Sequence, residues 1–179
     1  MKNIFLSGVL VMLGGTQVQA QTVPPAQFSA DCYVRFSPKG GAEFAIVDRI
    51  NHAQQSIEVQ AYNFASKPIA DALIAAFKRG VKVVALIDSK QPNASGAQLR
   101  YIRDAGVPVF LDANHQISHN KVMTIDGIWV HTGSFNFSAN AENHNAENSV
   151  WCKSPGMVKA YQVNFDAHMT HGKPFTAGQ

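Results

Sequence analysis

A chain of 179 residues is the length of one domain and can bury a substantial core. Its formal charge is only +3 and no run of Lys or Arg occurs, so bulk electrostatics makes no case for a nucleic-acid partner. Its two cysteines, Cys32 and Cys152, lie too far apart to form a thiolate zinc cluster.

In chain order, Lys2 precedes an apolar stretch from Ile4 to Leu13, followed by a polar segment ending Val18-Gln19-Ala20. A charged start, a short apolar centre and a small-residue exit predict a secretory signal peptide over 1–20, too short to span a membrane convincingly. The expected product is a single exported domain over 21–179, periplasmic or secreted, with 14 basic and 12 acidic residues. In an oxidising compartment Cys32 and Cys152 could pair, closing a loop of about 120 residues, for which chain entropy gives roughly 4–5 kcal/mol. Two separate buried thiols and an intermolecular bridge are the alternatives.

After a proline-containing lead-in (21–30), "GGAEFAIVDRINHAQ" places apolar residues at helical spacing. "SIEVQAYNF" alternates as a strand, and "KPIADALIAAFKRG" reads as a helix opened by proline and closed by Gly80. "VKVVALID" is a continuous apolar run, as in a strand covered on both faces. "SGAQLRYIRDAG" predicts another helix and "VPVFLD" another strand. This alternation argues for an α/β layer with parallel strands. Then "HNKVMTID-G-IWVHTG" predicts a hairpin on an Asp-Gly turn, "NAENSVWC" a strand, and "SPGMVKAYQVNFDAHM" a closing helix capped by Ser154. The expected fold class is α/β, a mixed β-sheet flanked by helices.

The hairpin carries the chemistry. His119 and Lys121 are two apart and share a strand face. Ser134 and Asn136, also two apart, return to the same level. An imidazole, an ammonium, a hydroxyl and a carboxamide gathered there suit a tetrahedral anion such as phosphate. Asp126 and Gly127 occupy the remote turn, where Asp-Gly meets the backbone requirement, so Asp126 is expected to be structural.

The pattern His119-x-Lys121-x4-Asp126-x6-Gly133-Ser134-x-Asn136 resembles, without a gap, the HKD signature of the phospholipase D superfamily. "SPKGGAE", "VQAYNFAS" and "NAEN" around it are similar to the superfamily's small single-motif bacterial endonucleases. The resemblance implies that His119 is the nucleophile, forming a phosphohistidine, and that Lys121, Ser134 and Asn136 bind phosphate oxygens. It implies that Glu147 orients the histidine through its other nitrogen, with Glu142 as a nearby competitor, and that Asp126, Gly127 and Gly133 are structural. It further implies a homodimer that places two copies of His119 around one phosphate, a nucleic-acid substrate and no cofactor. The lack of an amphipathic or membrane-docking segment in 21–179 argues for nucleic acid over lipid and for no stable membrane association.

Other readings compete. A phospholipid-headgroup phospholipase D uses the same residues, and a non-catalytic DNA-binding or uptake module could keep the fold. Asp112, His115 and His119, with His131 on the returning strand, are candidates for a catalytic metal. His52, His144, His168 and His171 read as surface residues. Lys39, Lys67, Lys90, Arg100 and Arg103 are candidates to line a groove. Phe135 and Phe137 read as core, with base stacking as the alternative.

Overall fold

The computed structural model describes residues 28–177, so the expected signal segment lies outside the described residues. The elements run β1(Asp31–Ser37), α1(Ala42–Asn51), β2(Ser56–Ala61), β3(Phe64–Ala65), α2(Lys67–Lys78), β4(Lys82–Asp88), α3(Leu99–Asp104), β5(Val109–Asp112), β6(Lys121–Ile125), β7(Trp129–Gly133), β8(Phe137–Ser138), α4(Ala139–Asn143), β9(Glu147–Lys153), α5(Pro155–Met169) and β10(Lys173–Pro174). Eight strands form one sheet in the order β1-β9-β7-β6-β2-β4-β5-β10. The β2-β4-β5 region is parallel and the β1-β9-β7-β6 region antiparallel, so the sheet is mixed, as the change of style along the sequence implied.

Alternation along the strands feeds a layer of helices on each face. Met123 and Ile125 of β6 join the main core with Ile46 and Ile50 of α1, Leu73 of α2 and Leu99 of α3. Val122, Val130 and Cys152 face the other way, onto Val158 of α5. Three of the helix starts follow from local chemistry. The Ser66 and Ser154 hydroxyls accept from Ile69 N–H and Met157 N–H, and each is followed by a proline in the first turn. The Ser138 hydroxyl likewise caps α4. Gly41 offers α1 no side-chain cap; instead the Glu142 carboxylate reaches across from α4 to accept from Glu43 N–H at 2.9 Å.

Four expectations need correction. The helix predicted over 95–106 is confined to 99–104, because Gly96 adopts φ +73°, outside the helical region. The strand predicted over 56–64 breaks after Ala61, where Tyr62 N–H turns to the Asn120 carbonyl. "NAENSVWC" becomes strand only from Glu147 onward. β1, with Val34 and Phe36 largely exposed, was not anticipated; it pairs with β9 in a register that sets Cys32 opposite Cys152, and these two are joined by a disulfide.

Candidate active site

Four strand ends bring the motif together. Lys121 opens β6 and pairs with Ala61 at the end of β2, while Gly133 ends β7 opposite Ser149, two residues into β9. His119 therefore sits just before β6 rather than on it, and Glu147 begins β9 at the same end of the sheet. His119, Lys121, Gly133, Ser134, Asn136 and Glu147 line one open cleft of about 420 Å³. All five polar residues expected at the site are brought together there.

The polar contacts within the cleft are specific. Lys121 Nζ donates to the His119 carbonyl at 2.7 Å and lies 3.0 Å from its Nδ1. Lys121 is nearly buried, and that burial pushes its pKa below the ordinary lysine value, partly offset by the Glu147 carboxylate. The Ser134 hydroxyl donates to Glu147 Oε2 at 2.5 Å and accepts from Asn148 N–H at 3.1 Å. Asn145 holds the other Glu147 oxygen at 3.0 Å. The Asn136 side-chain oxygen is buried with no hydrogen-bond partner.

The expected hydrogen bond from Glu147 to His119 is not the one made. Within the chain Glu147 holds Ser134 and Asn145, because the strand register places it beside Ser134, whereas His119 Nδ1 faces Lys121. Glu142, the competitor, is committed to the start of α1.

Two supporting residues escaped the sequence reading. The Tyr62 ring lies 4.8 Å from the His119 ring, with Lys121 Nζ 5.4 Å from its centroid. Buried Asp88 accepts from Ser118 N–H at 2.8 Å and from Lys90 N–H at 2.9 Å, fixing the loop that delivers His119. A signal existed: both sit at or just past the C-terminal ends of parallel strands, where open α/β sheets place ligands.

Asp126 behaves as its turn implied. It and Gly127 both take positive φ, 55° and 67°, as a two-residue type I′ turn requires. Its carboxylate accepts from Gln54, Gln55 and Ser56 N–H, fastening the loop between α1 and β2. Gly133 is required for another reason: at φ 139°, a Cβ there would lie 2.4 Å from the Asn148 carbonyl oxygen.

The remaining candidates lie elsewhere. Phe135 and Phe137 are fully buried in the core. Lys67 pairs with Asp71, Lys90 Nζ bonds the Gln116 carbonyl, Arg100 bonds the Pro92 carbonyl and Arg103 pairs with Asp104; none of these, nor Lys39, lines the cleft. The competing metal reading is regrouped. Asp112 and His115 gather with His168 and His171 rather than with His119 or His131, so His168 and His171 are not plain surface residues. Burial opposes ionisation of Asp112, yet hydrogen bonds from His168, Asn114 N–H and His115 hold its carboxyl down to about 2.

The family model described as "Cardiolipin synthase, PLD-like domain" matches residues 46–169, which contain the whole cleft. The chain is 34% identical over 153 residues to a phospholipase D of Rickettsia typhi, covering 86% of this chain and 74% of that protein. A phospholipase D of Rickettsia prowazekii is 37% identical over 135 residues, 75% of this chain and 66% of the relative. The mitochondrial cardiolipin hydrolase of Xenopus tropicalis is 36% identical over 114 residues, and the chain spans only 54% of its length. Among solved structures, the phospholipase D family member Nuc from Salmonella typhimurium superposes with a TM-score of 0.79 at 33% identity, over 83% of this chain and all of that one. With the motif gathered in one cleft and the match running through the fold on both sides of it, the chain belongs to the phospholipase D superfamily of phosphodiesterases.

Proposed function

We propose that the protein is an exported endonuclease that cleaves nucleic-acid phosphodiesters at His119 without a metal. The observation that carries this reading is the convergence of His119, Lys121, Ser134 and Asn136 on one open cleft. Lys121 and Asn136 bind non-bridging phosphate oxygens, and Ser134 joins them as its hydroxyl swings from Glu147. With Lys121 as an ammonium beside Nδ1, the resting ring keeps its proton on Nε2. A phosphate that draws Nζ away lets Nδ1 take the proton, and Nε2 then attacks phosphorus. The P–O bond to one nucleotide breaks, its oxygen leaves with a proton, and water hydrolyses the P–N bond of the phosphohistidine. Each half-reaction needs an acid or base opposite the attacking group, so a second His119 from a partner copy completes the site. The disulfide fits an oxidising compartment, and no helix among the described residues is long and apolar enough to cross a membrane.

The nucleic-acid assignment rests on the likeness to single-motif endonucleases and on the match to the whole length of Nuc. A second reading, hydrolysis of phospholipid headgroup diesters, is favoured by the names of the rickettsial and frog relatives. Supercoiled plasmid and cardiolipin-containing vesicles, each incubated with the protein in excess EDTA beside His119→Ala, separate them. Plasmid nicking that persists in EDTA and disappears in the variant is expected. Lipid turnover alone gives the site to phospholipids, and plasmid binding with no turnover of either substrate makes it a binding module.

A further inference from the structure

A second cluster lies at the same end of the sheet as the cleft but on β5, three strands from β6, roughly 15 Å away at the usual strand spacing. Asp112 closes β5 with a fully buried side chain; His115 follows in the next loop, His168 lies in the last turn of α5, and His171 follows that helix. Three ring nitrogens aim at this one carboxylate. His115 Nδ1 and His168 Nδ1 lie 3.0 and 3.1 Å from Oδ2, and His171 Nε2 lies 3.3 Å from Oδ1.

Hydrogen bonding does not account for all of this convergence. Asp112 already accepts from His115, His168 and Asn114 N–H. His171 Nε2 is buried beside it without a hydrogen bond of its own, which is costly unless something else binds it. We propose that Asp112, His115, His168 and His171 form a structural zinc site. Three imidazoles and one carboxylate are a donor set for Zn²⁺, whereas Ca²⁺ and Mg²⁺ take oxygen ligands. The four donor atoms lie within 4.8 Å of one another; bonds of about 2.0–2.1 Å require them roughly 3.4 Å apart, a closure of about 1.4 Å at most. The three imidazoles are 42%, 17% and 27% exposed, and the closure asks for small rotations of these rings rather than movement of Asp112. All four positions are filled by protein, which marks a closed site rather than one that activates water.

The metal would tie the end of α5 and the segment after it, including β10, to the edge of the sheet. It would also fix the His115 end of the loop whose far end delivers His119. The inference does not rest on the phosphodiesterase reading, because its test measures binding and stability.

The test strips the purified protein with chelator and titrates Zn²⁺ alone, following heat release and metal content after gel filtration, with Co²⁺ as a spectroscopic stand-in. One Zn²⁺ per chain is expected, with a rise in melting temperature and the intense visible bands of four-coordinate Co²⁺. His168→Ala and His171→Asn should each weaken zinc at least about tenfold, as loss of even indirect support for a metal does, while His119→Ala binds normally. Circular dichroism confirms that each variant is folded; the two imidazoles replaced are partly exposed, so their loss is tolerated better than loss of Asp112. Sub-stoichiometric zinc in the wild type overturns the proposal. So does zinc affinity unchanged in both ligand variants, or abolished in His119→Ala.

Discussion

His131 lies wholly inside the protein, with Nε2 2.9 Å from the Ser149 hydroxyl and its ring against Trp151 and Phe137. Burial pushes its pKa down to about 3, the Lys121 backbone offsetting this only in part, so the folded protein keeps the ring neutral where an unfolded chain would protonate it. Between an unfolded value near 6.5 and the folded value, the unfolded state binds the extra proton. This contribution to stability is therefore present above pH ~6.5 and is lost as pH falls towards 3. At about 1.4 kcal/mol per pH unit, the loss from pH 6.5 to pH 4 is on the order of 3 kcal/mol. Urea unfolding at both pH values should show a shallower pH dependence in His131→Phe than in the wild type, whatever the variant loses at neutral pH. Equal slopes would mean that water reaches the ring. Spacing singled out His119 but not the burial of His131: the two belong to the same hairpin region at positions of one parity, and only the packing of Trp151, Phe137 and Ser149 around β7 seals the second.

Local signals specified most of the elements; those that depend on distant partners were hidden. The Asp-Gly turn, the serine caps of α2 and α5 and the buried run of β4 follow from contiguous residues. β1 has exposed apolar side chains and is defined by pairing with β9 more than a hundred residues on, which no local pattern reveals. The same holds at the cleft. Spacing identified His119, Lys121, Ser134 and Asn136, but not that Glu147 would engage Ser134 instead of His119, since that depends on the β7–β9 register. Asp126 is the element-scale counterpart, a turn residue whose carboxylate fastens the start of β2 through Gln54, Gln55 and Ser56 N–H. Asp126→Ala should cost about 1–3 kcal/mol, because it leaves those donors to water and removes charge-assisted bonds. Asp126→Asn, which keeps one acceptor oxygen and tolerates positive φ, should recover part of it. Denaturant midpoints measure the loss. Turnover at a temperature where both variants are folded should match the wild type, and a large fall in turnover would place Asp126 in the reaction.

At the scale of the whole molecule, the cleft holds one imidazole, one ammonium and one carboxylate already engaged with Ser134 and Asn145. Displacement at phosphorus needs an attacking base and, on the opposite side, an acid for the leaving oxygen. Lys121 is a poor candidate for the acid, since it also has to neutralise phosphate, and Glu147 is held by two donors of its own. A two-fold pairing of chains would supply the missing group by setting two copies of His119 across one phosphodiester, making the dimer the catalytic unit. Subunit mixing tests this more sharply than dilution does. If wild-type chains exchange with a ninefold excess of His119→Ala, random pairing leaves about one tenth of them in all-wild-type dimers. Activity per wild-type chain should then fall to about that fraction after exchange, because a mixed dimer offers one histidine where two are needed. Independent sites would leave activity per wild-type chain unchanged, as would a monomeric enzyme, and either result would return the leaving-group proton to a residue within the same chain. A fall that develops only as exchange proceeds, with none on immediate mixing, would separate shared catalysis from simple competition for substrate.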